Sequence, residues 1–180
     1  KRAAALLLAS LLPLSAAGDE RRSGLAFMSP ALQALQRDEA RHPGQLWVRE
    51  GEALFSRAAA NGKRCADCHV APSLDGVAAR YPAFDGVRPI SLAGRIDQCR
   101  VRRLGLPAQG ADGDEVLSLS AWLAQRSRGR PIAAPDTRLA EWRERGAALW
   151  RQRLGQLNLS CAQCHDPLAG KKLGGATIPQ

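Results

Sequence analysis

Two copies of the pattern C-x-x-C-H are the residues of this sequence best suited to carry chemistry. The first copy occupies residues 65–69 and the second residues 161–165. Two cysteines at this spacing can add across the two vinyl groups of a haem, and the adjacent histidine then binds the iron as its proximal ligand. We therefore predict two haem c groups, attached through Cys65, Cys68, Cys161 and Cys164. The predicted iron ligands are His69 and His165.

The ligand on the other side of the first iron is less obvious. Most small electron-transfer cytochromes c use a methionine downstream of the motif, but Met28 and the spare histidine, His42, both lie upstream. Four of the five cysteines are used by the motifs, so Cys99 remains as a possible distal ligand. Ferric iron and nearby arginines would favour its thiolate. A buried free thiol, or a disulfide to a cysteine beyond residue 180, remains open for Cys99. The arginines of this tract, which are also compatible with a solvated face, are Arg95, Arg100, Arg102 and Arg103.

An internal repeat positions the two motifs. An apolar stripe at helical spacing predicts a helix over residues 47–58, and the same stripe recurs 95 residues later. The matched pairs are Trp47 with Trp142, Gly51 with Gly146, Leu54 with Leu149 and Phe55 with Trp150. A zinc half-site or a disulfide would fit one motif but not two in a repeat. The second copy has no counterpart to residues 83–129, so we expect an incomplete second domain.

Two further helices follow from the sequence. Ser29 as cap and Pro30 at the first position predict a helix from Pro30 to about Arg41. A second helix begins near Asp112 or Asp114 and stops before Gly129 and Pro131. Its predicted buried face consists of Val116, Leu119, Trp122 and Leu123. No alternating strand pattern is visible, so the predicted fold is all-α, with two cytochrome c-like domains.

Each proximal histidine is expected to hydrogen-bond a backbone carbonyl, near Pro82 for His69 and near Pro179 for His165.

Composition and the first residues indicate a compartment. Residues 1–17 have a cationic start, an apolar run and small residues, which is the layout of a secretory signal peptide and too short to span a bilayer. We predict a periplasmic protein with haem domains at 18–135 and 136–180. A net charge of +9 is compatible with an acidic partner, a membrane surface or a small anion. Nucleic acid is disfavoured because the arginines are scattered and no binding motif is present.

Five tracts in this sequence resemble the SoxA family, whose members are the haem-bearing subunits of the SoxAX cytochrome of bacterial thiosulfate oxidation. The tracts are "SGLAFMSP", "GVAARYPAFDG", "RIDQCR", "QRSRGRPI" and "GQLNLSCAQCH". The resemblance covers residues 23–180. It implies an all-α protein that works in the periplasm with the small cytochrome SoxX. The activity it implies is that of an L-cysteine S-thiosulfotransferase, which joins thiosulfate oxidatively to a cysteine of the carrier protein SoxYZ.

The resemblance also implies roles for individual residues. Cys99 would be the distal thiolate of the first haem, and residues 161–165 would hold the catalytic haem. The family's catalytic cysteine would stand where Cys99 stands in the first unit, and the matching position is expected beyond Gln180. On that expectation this chain would hold the second haem poorly and would not turn over. A periplasmic dihaem electron carrier without substrate chemistry, and a haem sensor with a labile thiolate, remain as alternatives.

Overall fold

The structure is a computed structural model that describes residues 23–179. The predicted signal peptide, residues 1–17, lies outside the described residues. Within them, six α-helices are joined by short 3-10 turns and loops. The α-helices are α1 (Pro30–Arg37), α2 (Gln45–Ser56), α3 (Leu92–Cys99), α4 (Asp114–Arg126), α5 (Ala140–Arg151) and α6 (Cys161–His165). Among the residues from 23 to 179, no helix is long and apolar enough to cross a membrane.

The first unit is organised around the packing of α2 on α4. The four residues predicted for the buried face of α4 are all buried, and Leu54 and Phe55 of α2 pack against them. Contact between the helices is close because Gly51 has no side chain: a Cβ at this position would lie 2.1 Å from the Ser118 carbonyl oxygen. Apolar burial of this kind is the main favourable term in forming the domain.

Two predicted helix ends need comment. Ser29 caps α1 as expected, with its hydroxyl accepting a hydrogen bond from the Leu32 N–H. The helix ends at Arg37 rather than near Arg41, because the Asp38 carboxylate accepts hydrogen bonds from the N–H groups of Ala40 and Arg41 and so closes a turn there.

The helix α3 was not predicted. It begins after Ser91, whose hydroxyl caps the Gly94 N–H, and it continues into a π-helical turn over Arg100–Leu104. Gly105 ends this turn with a positive φ of 68°, which glycine adopts without steric cost. Cys99 therefore lies at the junction of an α-helix and a π-helix, a local geometry that is frequent at functional sites.

Two short antiparallel hairpins accompany the helices. Strands β1 (Ala83–Phe84) and β2 (Pro89–Ile90) pair antiparallel, as do β3 (Lys172–Leu173) and β4 (Ala176–Thr177). Each strand has two residues, which is too short for an alternating pattern to appear in the sequence. The protein is helix-rich, and the hairpins serve as turns between its helices and loops.

The second unit begins like the first and is much less buried. Its helix α5 has the same length as α2 and starts 95 residues later. Leu54 is 7% exposed in α2, whereas Leu149, its counterpart in α5, is 59% exposed. The difference arises because α4 covers α2, and within residues 23–179 no helix covers α5 in the same way.

The N-terminal residues of the described chain contact the second unit. A 3-10 turn over Gly24–Phe27 lies beside the β3–β4 hairpin. A Cβ built on Gly170 would lie 3.2 Å from the Phe27 ring, and one built on Gly24 would lie 3.6 Å from the Pro179 side chain. The first and last described residues therefore pack together.

Candidate functional site

A pocket of about 660 Å³ lies between α3, α4 and the loop that carries the first C-x-x-C-H motif. Apolar side chains form most of its wall, including Phe55, Leu119 and Trp122. The polar groups that line it include every residue predicted for the first haem: Cys65, Cys68, His69 and Cys99. The fold thus brings a cysteine from the end of α3 into the same pocket as a motif thirty residues away in sequence.

The donors in this pocket fit a haem. Three thiols and an imidazole line one pocket, whose volume and largely apolar lining are those of a cofactor site. Within residues 23–179 no three His, Cys, Asp or Glu side chains converge as a metal cage would require. Cys65 and Cys68 would attach the group, and His69 and Cys99 would bind its iron.

Cys65 is the more enclosed of the two attachment cysteines. Burial raises the pKa of its thiol, and the neighbouring Cys99 thiol raises that pKa further. Cys65 and Cys99 line the same pocket. Cys99 is therefore in the same pocket as the first C-x-x-C-H motif.

The attachment motif is held in shape by its own hydrogen bonds. Residues Cys65–Asp67 form a 3-10 turn, and the Asp67 carboxylate accepts a hydrogen bond from the Arg64 N–H at 2.8 Å. In the second motif, α6 has the same arrangement: the Gln163 side chain accepts from the Ser160 N–H at 2.8 Å. In both motifs the side chain three residues after the N-cap accepts from the N-cap N–H, which is one half of a capping box and holds the turn that carries the cysteines.

A buried arginine next to Cys99 was not anticipated from the sequence. Arg100 is 2% exposed, and its guanidinium contacts the carboxylates of Asp97, at 2.9 Å, and Glu115. The Asp97 carboxylate also accepts from the N–H groups of Gln109 and Gly110, and these bonds hold the pKa of Asp97 below its ordinary value. The interpretation of this tract as a solvated face is therefore wrong for Arg100, because its charge is neutralised by two carboxylates inside the fold.

The second motif has the predicted proximal hydrogen bond. The His165 Nδ1 lies 2.9 Å from the Pro179 carbonyl oxygen, so an Nδ1–H donates and Nε2 is left to bind iron. The Trp150 ring lies 5.5 Å from the His165 ring, and its Nε1–H donates to the Asp166 carboxylate. These contacts fix the orientation of the imidazole ring of His165 and leave its Nε2 for a ligand.

The corresponding bond of His69 is not present in the described residues, so the prediction for Pro82 is wrong there. In the second unit, hydrogen bonds between Ile178 and the 170–171 backbone turn Pro179 towards α6. In the first unit, the matching tract is a 3-10 turn that α4 holds instead, through the Ser127 hydroxyl and the Ala78 N–H. The tract in the first unit is therefore held against the end of α4, and its carbonyls do not reach His69.

The two residues set aside as ligands lie away from the pocket. Met28 is exposed at the surface. His42 accepts a hydrogen bond from the Gly44 N–H in a turn before α2. Neither residue lines the pocket that contains Cys99.

Comparison with protein families places the first unit. Residues 50–132 match the family described as "SoxA/TsdA, cytochrome c domain". The chain is 34% identical over 169 residues to an L-cysteine S-thiosulfotransferase subunit SoxA from Pseudaminobacter salicylatoxidans, a match that covers 90% of this chain and 59% of that protein. It is 35% identical over 159 residues to the same subunit from Rhodovulum sulfidophilum, covering 82% of this chain and 54% of that protein.

A solved structure gives the same result. The fold matches SoxXA from P. pantotrophus with a TM-score of 0.83 and 28% sequence identity, over 89% of this chain and 62% of that one. The chain thus spans a little over half the length of the curated relatives it matches. Its fold is that of a cytochrome c-type protein.

Proposed function

Because the chain contains a SoxA/TsdA cytochrome c domain and is homologous to SoxA over most of its length, we propose that it is the haem-bearing SoxA subunit of an L-cysteine S-thiosulfotransferase. In this role it pairs with the cytochrome SoxX and acts on thiosulfate and the carrier protein SoxYZ. The observation that carries the proposal is the pocket that Cys99 lines together with the first C-x-x-C-H motif, since an electron carrier of the usual kind would supply a methionine instead.

Two haem c groups belong to the proposal. Cys65 and Cys68 attach the first, with His69 and Cys99 as iron ligands. The second is attached at residues 161–165 with His165 as its ligand, and the hydrogen bond from His165 to Pro179 supports this assignment. The haem domains, residues 18–135 and 136–180, derive from one duplicated unit, which the equal lengths and regular spacing of α2 and α5 support.

The site of action is the periplasm, where an exported chain can receive covalent haem. The composition of residues 1–17 supports export. All five cysteines are assigned to haem attachment or ligation, so no residue between 1 and 180 is assigned as the catalytic nucleophile.

The reaction joins two sulfur atoms. Thiosulfate dianion and a carrier thiol form one S–S bond and release two electrons and one proton, leaving a thiosulfonate on the carrier cysteine. When bound, haem c supplies a one-electron acceptor. The residues of this chain hold that acceptor in an apolar pocket, set its ligands and surround it with positive charge, which favours the approach of anions.

Haem content provides the first test. The full-length gene product, co-expressed with SoxX and the c-type haem attachment machinery, should carry two covalent haems per chain. The double variant Cys65→Ala/Cys68→Ala should retain one haem, and Cys161→Ala/Cys164→Ala should also retain one. An unchanged haem content in either variant would remove that motif from the proposal.

Carrier modification provides the second test. The haem-loaded complex should add thiosulfate to the carrier cysteine when an electron acceptor is present, and intact-protein mass spectrometry of SoxYZ detects the adduct. A complex that passes electrons to an acceptor but leaves SoxYZ unmodified would support the dihaem electron carrier instead.

A further inference from the structure

One face of α3 and the following π-helical turn lines the pocket continuously. The residues that line it recur at helical spacing from Leu92 to Leu104. Three of them, Arg95, Cys99 and Arg103, are spaced by four residues, so an arginine stands one turn before and one turn after the predicted distal ligand. Arg95 is half-buried and Arg103 is exposed, so both guanidinium groups line the pocket and keep access to solvent.

The ion pairs of the pocket separate its arginines into two groups. Arg64 contacts the Asp67 carboxylate at 3.1 Å, and Arg100 contacts Asp97 and Glu115. Arg95 and Arg103 have no carboxylate partner within residues 23–179. Within the described part of the chain, the Arg95 guanidinium donates a hydrogen bond to the Gln98 side-chain oxygen, at 2.8 Å.

One carboxylate lies near enough to be considered as a partner for Arg95. The charge of Arg95 contributes to holding the pKa of Asp85 below its ordinary value, but the main causes are the N–H groups of Arg88 and Val87. The Asp85 oxygen accepts hydrogen bonds from both of these at 2.9 Å. Asp85 is thus engaged in its own turn, and the pocket keeps two guanidinium groups available.

We propose that Arg95 and Arg103 bind the two propionates of the haem attached at Cys65 and Cys68. This inference rests on the proposed function, because it requires a haem in the pocket. A haem carries two carboxylates at one edge, and the pocket offers two arginines without a carboxylate of their own. An arginine presents a planar pair of donors that matches a carboxylate and gives strong charge-assisted hydrogen bonds.

The assignment has a consequence for the electron affinity of the haem. Two cations beside the propionates offset their negative charge and favour the reduced iron, whereas the Cys99 thiolate favours the oxidised iron. The two arginines therefore limit how far the thiolate lowers the reduction potential of this haem.

The test compares arginines that differ only in the face of the helix they occupy. Arg95→Gln, Arg103→Gln and the double variant are made in the full-length, haem-loaded complex with SoxX. Arg102→Gln is the matched control, since Arg102 lies on the same segment, loses the same charge and lines a separate cleft. The measurements are the reduction potential of the haem that is lost in Cys65→Ala/Cys68→Ala, the propionate bending bands in resonance Raman spectra, and the ferric EPR spectrum.

Arg95→Gln and Arg103→Gln should each lower the reduction potential more than Arg102→Gln does. The double variant should also shift the propionate bands, with the EPR spectrum of the thiolate-ligated iron unchanged. Arg95→Lys keeps the positive charge, so its reduction potential should be closer to that of the wild type than the potential of Arg95→Gln is. Potentials and bands equal to those of Arg102→Gln would overturn the inference, as would a changed thiolate EPR signal with unshifted propionate bands. If Cys65→Ala/Cys68→Ala loses no haem, the first haem site of the proposed function fails, and this outcome is distinct from a failure of the arginine assignment.

Discussion

Gly51 and Gly146 occupy the same position in the two units and should respond to alanine in opposite directions. In α2, a Cβ on Gly51 would lie 2.1 Å from the Ser118 carbonyl oxygen and 2.8 Å from the Trp122 Cβ. Real Cβ atoms essentially never approach closer than 3.0 Å, so α2 would have to move away from α4 by about 0.9 Å. The obstacle is backbone, which cannot rotate aside as a flexible side chain can.

The expected magnitudes follow from this geometry. Overpacking a well-filled core costs about 1–3 kcal/mol, and the upper part of that range applies here because the helices that form the core must separate. Replacing an interior helical glycine by alanine returns only about 0.5–1 kcal/mol. Gly51→Ala should therefore lower the free energy of unfolding by about 2 kcal/mol. Gly146→Ala should raise it by about 0.5–1 kcal/mol, since within residues 23–179 nothing beyond the adjacent residues and the local backbone of α5 lies within 4 Å of a Cβ there.

Denaturant unfolding of the haem-loaded protein measures both effects. Circular dichroism follows the helices, and the haem absorption band follows the pocket. The pair of variants controls for composition and for intrinsic helix propensity, because both change glycine to alanine inside a helix of the same length. A Gly51→Ala protein that is as stable as Gly146→Ala would refute the close approach of α2 and α4.

Three further predictions concern the pocket. Cys99→Met in the full-length protein should remove a low-spin thiolate signal from the ferric EPR spectrum, and an unchanged spectrum would exclude Cys99 as ligand. Asp97→Asn should destabilise the protein at pH 7 and weaken its acid sensitivity. The stabilisation by the Asp97 carboxylate is complete above its ordinary pKa of 3.8 and is lost as pH falls through its lowered folded-state pKa. The unfolding midpoints of the wild type and the variant should therefore converge in acid. Arg100→Met should lower the free energy of unfolding, measured with denaturant, by about 1–3 kcal/mol. The loss is limited because the Asp97 carboxylate keeps two backbone N–H donors and the Glu115 carboxylate keeps its ion pair with Arg57. A loss above about 5 kcal/mol would show that these carboxylates are left uncompensated.

The helices with a plain apolar stripe could be predicted from sequence. The buried face of α4 was predicted residue by residue, since Val116, Leu119, Trp122 and Leu123 recur at helical spacing. The acceptor for His165 was also predicted, because the two units match up to Pro179. In both cases the information is local or is repeated within the chain.

The segment that carries Cys99 could not be predicted in the same way. Four arginines interrupt its apolar positions, so α3 and the π-helical turn have no clear stripe. The burial of Arg100 depends on Glu115, which comes from another helix and has no sequence signal that links the two. The pocket residues were nonetheless identified, because the spacing of the cysteines and the absence of a downstream methionine are chemical constraints rather than patterns of burial.

The contact between Gly24–Phe27 and the loop from Gly170 to Pro179 bears on the order in which the protein folds. About 150 residues separate the partners, so this contact contributes strongly to contact order and closes late. A chain emerges with its N-terminus first, and residues 24–27 must therefore wait until nearly all of the described chain has appeared. Packing of α2 on α4 involves much shorter separations. The first haem pocket can thus assemble while the support of His165 is still incomplete, which would allow the two haem sites to mature in sequence.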